Sequence, residues 1–133
     1  MTLLKILVID DEKDILTIIT ASLESEEGFE VKCVSSGEEA LREAPKFQPD
    51  LILLDYLMPL MNGEATFKAL QLISSLTHVP VIILSGSSDA ELFKKLLNLG
   101  VAEVMIKPFD PWTLPSQIRS ALSRYREKHN LGK

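Results

Sequence analysis

Leu51-Ile52-Leu53-Leu54-Asp55-Tyr56-Leu57-Met58-Pro59 is the stretch on which the reading of the whole chain turns. Four apolar residues in a row, broken at Tyr56 to Pro59, predict a short strand buried on both faces. Asp55 stands at its end, where a carboxylate needs a partner or a task, because an unpaired buried charge is costly. Three other apolar runs end in equally suggestive residues. Leu4 to Ile9 ends in Asp10-Asp11-Glu12, Val79 to Leu84 in Ser85-Gly86, and Glu103 to Ile106 in Lys107-Pro108. Acids, a hydroxyl and an amine thus occupy equivalent points along the chain.

Helical patterns separate these runs. The spacing predicts a helix over about Glu12 to Ser25, with Ile15, Ile18, Ile19 and Leu23 on one face. Gly28 introduces a further strand, Phe29 to Val34. Ser36 can cap a helix over Gly37 to Ala44, with Glu39 at the capping-box position and Pro45 and Pro49 as its stop. Asn62 can cap the next helix, whose apolar face carries Ala65, Leu70 and Ile73. Pro80 opens the fourth strand, where a missing N–H is tolerated. Asp89 to Leu99 form a helix stopped by Gly100. Leu114, Ile118, Leu122 and Tyr125 mark the last helix, and Pro115 fits only its first turn. Thr113 is therefore expected as its cap, leaving Asp110-Pro111-Trp112 as a separate turn. Five strands alternating with five helices imply an α/β fold: a three-layer, doubly wound, five-stranded parallel sheet with right-handed crossovers.

At 133 residues the chain is one domain, with 46% apolar and 25% charged residues. The expected organisation is a domain over 1–126 and a C-terminal tail over 127–133. The net charge of −5 argues against direct nucleic-acid binding by this domain. Arg119, Arg124, Arg126, Lys128 and Lys133 are read as cations suited to a helix C-terminus. No apolar stretch is long enough to span a bilayer, and the N-terminus opens directly on a strand pattern. The lone Cys33 has no internal partner and is expected as a packed thiol. These features together predict a cytoplasmic protein with no membrane partner.

In open parallel sheets, ligands bind beyond the carboxyl ends of the strands, near the switch in strand order. That rule gathers Asp10, Asp11, Asp55, Ser85 and Lys107 into one crevice. Three carboxylates there repel one another, and a divalent cation relieves them. Oxygen-only ligands suit Mg2+ or Mn2+ rather than zinc. A carboxylate can itself be a nucleophile that forms an aspartyl phosphate, with Mg2+ and Lys107 supplying charge and Ser85 a hydrogen bond. Alone, each residue has a structural role open to it: a helix cap, a loop hydroxyl, a solvated lysine. Their joint placement at four strand ends is what points to a site. His78 and His129 lie away from these ends.

The blocks Val8-Ile9-Asp10-Asp11-Glu12, Leu53-Leu54-Asp55-Tyr56-Leu57-Met58-Pro59 with Asn62-Gly63, Ile83-Leu84-Ser85-Gly86 and Lys107-Pro108-Phe109 resemble, in order and spacing, the receiver domain of two-component response regulators. The resemblance covers almost the whole chain. It implies a flavodoxin-like strand order 2-1-3-4-5 and a cis Lys107–Pro108 bond. It also implies that Asp55 accepts a phosphoryl group from a sensor histidine kinase or phosphotransfer protein. Asp10 and Asp11 then match the Mg2+ acids, with Asp55 and the backbone carbonyl of Leu57 as further ligands. Ser85 and Lys107 match the phosphate-contacting pair, and Leu57 and Ser87 stand where the family tunes phosphate lifetime. Two departures stand out. Val104 occupies a position where receivers often carry a switching Tyr or Phe, and Gly86 replaces the commoner Ala.

The implied protein is a phosphoacceptor switch, not a turnover enzyme, reporting to an effector protein or domain through the 89–126 face. Leu92, Phe93, Leu96, Leu97 and Leu99 spread apolar surface around the fourth helix, as a partner surface or as a broad buried face. Two other readings use the same residues. One is a Mg2+-dependent phosphatase acting through an aspartyl phosphate; such enzymes usually carry Asp-x-Asp after the first strand, where this chain has Asp10-Asp11-Glu12. The other is a pseudo-receiver that works by protein interaction without phosphorylation.

Overall fold

The computed structural model describes residues 2–130. Five strands, β1 (Leu4–Ile9), β2 (Phe29–Val34), β3 (Leu51–Asp55), β4 (Val81–Ser85) and β5 (Glu103–Ile106), form one parallel sheet in the order 2-1-3-4-5. Helices α1 (Lys13–Glu24), α2 (Gly37–Phe47), α3 (Gly63–Gln71), α4 (Ala90–Leu99) and α5 (Leu114–Lys128) connect and follow them, with a short 3-10 turn at Ser74–Leu76. The doubly wound architecture expected from the sequence is the one observed, and Lys107–Pro108 is cis.

Side-chain alternation divides the interior in two. Ile6, Val8, Leu51, Leu53, Ile82 and Leu84 face α1 and α5, where Ile19, Leu23, Leu114, Ile118 and Leu122 cover them. Leu7, Ile9, Ile52, Leu54, Val81 and Ile83 face the other layer, with Ala40 and Ala44 of α2, Phe67 and Leu70 of α3 and Leu96 of α4. Burial of the three central strands on both sides is what their unbroken apolar runs encode.

Side-chain caps set the starts of α2, α3 and α4. Ser36 Oγ accepts the Glu39 amide, Asn62 Oδ1 that of Ala65, and Asp89 Oδ1 that of Glu91. Gly100, at φ +113°, ends α4.

Some local expectations are corrected. Pro45 does not stop α2, which continues to Phe47 and ends at a left-handed Gln48. Phe47 packs against the core, and this contact together with the Gln48–Ala44 backbone hydrogen bond outweighs the bond that Pro45 forfeits. Ile18 is 42% exposed, because the buried stripe of α1 runs through Ile19, Ser22 and Leu23 instead. Ala65 is also exposed, and α3 buries Thr66, Phe67 and Leu70. Strand β4 begins at Val81, since the Val79 amide is taken by Leu76. Thr113 stands at the start of α5 but does not cap it through its side chain; Asp110 accepts the Trp112 amide and closes the preceding turn. Arg126 and Lys128 stand in the last turn of α5 as expected, whereas Arg119 pairs with Glu26 and Arg124 with Glu103, and Arg126 also reaches Asp50. The helix also runs two residues past the boundary expected at 126. The remainder of the expected tail from 131 on, with Lys133, lies outside the described residues.

Candidate functional site

Strand register builds the site. β1 and β3 pair as Ile6–Leu51, Leu7–Ile52, Val8–Leu53 and Ile9–Leu54, so Asp10 comes next to Asp55 where the pairing runs out. Both carboxylates continue the Val8 and Leu53 side of the sheet, under α1 and α5. Asp10 is fully buried and Asp55 is 5% exposed, whereas Asp11 faces solvent. The three offer oxygen atoms that all lie within 4.8 Å of one another. An all-oxygen acidic set of this kind fits a hard divalent cation such as Mg2+ or Mn2+.

Lys107 enters from the end of β5 and serves as the shared counter-charge. Its Nζ donates to Asp55 Oδ1 at 2.9 Å and to Asp10 Oδ2 at 3.2 Å, with Glu12 Oε1 at 3.7 Å. The Glu12 amide donates to Asp10 Oδ1 at 2.9 Å and fixes that carboxylate from the other side. One ammonium does not balance this many acids. Burial pushes the Asp55 carboxyl from 3.8 up to about 6; the Lys107 hydrogen bond pulls it down, and the charges of Asp10 and Asp11 add to the rise. Burial alone would lower the Lys107 ammonium, yet its hydrogen bond to Asp55 and the charges of Asp10 and Asp55 raise it above the ordinary lysine value.

The loop after Asp55 is closed by Gly63. Its amide donates to the Tyr56 carbonyl at 2.7 Å, and a Cβ there would lie 2.7 Å from the Asp55 carbonyl oxygen. Only glycine permits this approach of α3 to the end of β3. Leu57 lies within the loop with its side chain 73% exposed, and Leu60 is fully exposed with φ +67°.

Ser85 is near in sequence register but differently directed. By alternation it belongs with Val81 and Ile83, on the side of the sheet that carries α4. Its hydroxyl, 1% exposed, accepts the Ser87 amide at 3.1 Å and donates to the Ser87 carbonyl at 3.3 Å. The structure thus joins Asp10, Asp11, Asp55 and Lys107, while Ser85 is engaged with its own loop. Val104 packs half-buried against the core on that same side.

The sequence reading passed over two features. Glu12 reaches Lys107, for which its place after Asp11 was the signal. Ile15, Ile18, Pro108, Phe109 and Pro111 line an apolar pocket of about 300 Å³ that Lys107 also borders. Ile18 is the helical residue that fails to reach the core, and its exposure beside the charged crevice is visible only in three dimensions.

Comparison with known proteins agrees with this geometry. The family model described as the response regulator receiver domain matches residues 6–119. The chain is 39% identical over 121 residues to the alkaline phosphatase synthesis transcriptional regulatory protein PhoP of Bacillus subtilis, covering 90% of this chain and 49% of that protein. It is 32% identical to the DNA-binding response regulator MtrA of Mycolicibacterium smegmatis, covering 93% of this chain and 53% of that one. The chain therefore spans about half the length of these relatives. Among solved structures, the chemotaxis response regulator CheY4 of Vibrio cholerae superposes with a TM-score of 0.84 at 30% identity, covering 90% of this chain and 99% of that one. A CheY-like receiver domain protein from Methanospirillum hungatei gives 0.83 at 28% identity, with 96% and 99% covered.

Two outcomes follow from the packing and charge. A carboxyl whose folded pKa is raised destabilises the fold once it ionises, so stability attributable to Asp55 falls as pH rises from about 4 through 6. In metal-free buffer Asp55→Asn should raise the melting temperature at pH 7.5, by the equivalent of about 2 kcal/mol, with the gain fading towards pH 4–5; a lower melting temperature at pH 7.5 would contradict the charge imbalance. Gly63→Ala should cost roughly 2 kcal/mol in chemical denaturation through overpacking against Asp55, and unchanged stability would show that the loop can give way.

Proposed function

The chain belongs to the response regulator receiver domain family of two-component signalling, and from that premise we propose that Asp55 is its phosphoacceptor. The observation that carries this reading is the Lys107 ammonium bridging Asp55 and Asp10 inside a crevice of three acids. A free Asp55 oxygen attacks phosphorus in line; the new O–P bond forms as the donor's N–P bond breaks, and the released imidazole nitrogen takes up a proton. Lys107 neutralises charge on the phosphoryl oxygens, which such a transfer needs more than acid–base help. Asp10, Asp11 and Asp55, with the Leu57 carbonyl, would hold Mg2+, which supplies further positive charge to those oxygens when bound. Ser85 contributes a hydrogen bond once its hydroxyl turns from the Ser87 loop. The unit that does this is the domain over 1–126, and its activity is a single self-phosphorylation and its reversal rather than turnover of a substrate.

The phosphodonor is a histidine kinase or phosphotransfer protein. Its phosphohistidine must descend into the crevice, so its surface covers the rim formed by the Ile18–Phe109 pocket and by the exposed Leu57. Output passes to an effector protein or domain through the 89–126 face, where Leu97, Leu99 and Ile106 are exposed.

Acetyl phosphate with Mg2+ should add one phosphoryl group to the wild type by intact mass. Asp55→Asn should add none, and chelation of the cation should abolish loading. Loading that survives Asp55→Asn would move the acceptor elsewhere. Ile18→Asp should slow transfer from a phosphorylated histidine phosphotransfer protein roughly tenfold, about 1.4 kcal/mol in the transition state, while acetyl phosphate loading stays unchanged; equal slowing of both would place Ile18 in the chemistry instead of the docking rim.

A further inference from the structure

We propose that Met61, wedged between the start of α2 and the first turn of α3, is a positioning residue for the Leu57 carbonyl, and that the wall it leans on sets the affinity of the acidic crevice for its divalent cation. This role for Met61 rests on the ligand role proposed above for Leu57. Gly37, the first residue of α2, forms the wall. A methyl group there would lie 2.2 Å from Thr66 Oγ1, 2.9 Å from Met61 Sδ and 3.1 Å from Met61 Cγ. The Met61 and Thr66 side chains therefore press on bare backbone, an approach that only glycine permits. Thr66 is fully buried, and its hydroxyl makes a long hydrogen bond of 3.5 Å to the Met61 carbonyl.

The wall is firmly held. Ser36 Oγ accepts the Glu39 amide at 3.0 Å, while Glu39 Oε1 accepts both the Ser35 amide at 2.9 Å and the Ser35 hydroxyl at 3.2 Å. Bonds in both directions across the first turn fix where α2 begins. Whatever leans on Gly37 is thus referred to a stiff helix end.

The loop after Asp55 has fewer holds. Its ends are tied by the Tyr56 amide to the Leu84 carbonyl at 2.9 Å and by the Gly63 amide to the Tyr56 carbonyl at 2.7 Å. Between them Leu57, Pro59 and Leu60 are exposed, while Met58 is buried in the core and Met61 half-buried against the wall. Leu60, caught between these two anchors, sits at φ +67° in a turn closed by the Met61 amide on the Pro59 carbonyl at 2.7 Å. A leucine persists in that left-handed region only where its surroundings impose it. Met58 and Met61 impose it here. Once Met61 leaves the wall, Leu60 relaxes and the peptide units before it turn, the Leu57 carbonyl among them. Mg2+ demands near-ideal octahedral geometry, so a carbonyl that shifts holds it poorly. A helix that carries no ligand thereby acts on the cation through packing alone.

Calorimetric titration of the full chain with Mg2+, run beside chemical denaturation of each variant, tests it. Met61→Ala should weaken Mg2+ binding roughly tenfold, as loss of a group that orients a metal ligand does. Gly37→Ala should also weaken it, by pushing Met61 and Thr66 off the wall. Met61→Leu keeps the volume and should bind as the wild type does. Ile73→Ala, a half-buried change in the same core layer, should lose stability and leave Mg2+ affinity unchanged. Wild-type affinity in Met61→Ala overturns the role of Met61, as does equal weakening in Met61→Leu or in Ile73→Ala. Weakened binding in Met61→Ala with wild-type affinity in Gly37→Ala overturns the wall. Unchanged affinity in Asp11→Ala overturns the acidic crevice as the cation site, and the role of Met61 with it.

Discussion

Two carboxylates buried side by side, with one lysine between them, are the constraint on which the upper end of this molecule depends. Asp10 and Asp55 are brought together by the β1–β3 register, and Lys107 reaches both from β5. Three strands far apart in sequence thus converge on one charge. Burial pushes the Asp55 carboxyl up to about 6, and the charges of Asp10 and Asp11 add to the rise that Lys107 only partly offsets. A site left short of positive charge by its own side chains is one that gains by taking up a cation, and the all-oxygen donor set matches that need.

Most of the fold was legible because its signals are local. Unbroken apolar runs announce strands buried on both faces, and Ser36, Asn62, Asp89 and Gly100 mark helix ends through their own side chains or backbone. The acids that follow β1 and end β3, and the lysine after β5, could be assigned to one crevice by topology alone. What escaped is what depends on partners distant in sequence. Pro45 reads as a stop, yet Phe47 finds the core and the helix persists. Ile18 and Ala65 keep helical spacing but sit off the faces that meet the sheet. Arg119, Arg124 and Arg126 find acids from other elements that spacing along α5 does not reveal.

The candidate site divides in the same way. Residue types at strand ends were enough to nominate Asp10, Asp11, Asp55 and Lys107. They were not enough to orient Ser85, because a hydroxyl that ends a strand can face either layer and its neighbours decide. Here Ser87 claims it. Gly63 looked like the residue following a helix cap, and its closeness to the Asp55 carbonyl appears only when α3 is laid against β3.

The sheet between the two packed layers also separates two kinds of sequence change. Asp10, Asp55, Lys107 and the Ile18 pocket lie with α1 and α5, whereas Ser85, Val104 and the anchor of α4 lie on the opposite face. Substitutions that reshape the Ile18 pocket therefore need not disturb the packing of α4, and changes along α4 leave the Asp10–Asp55–Lys107 cluster in place.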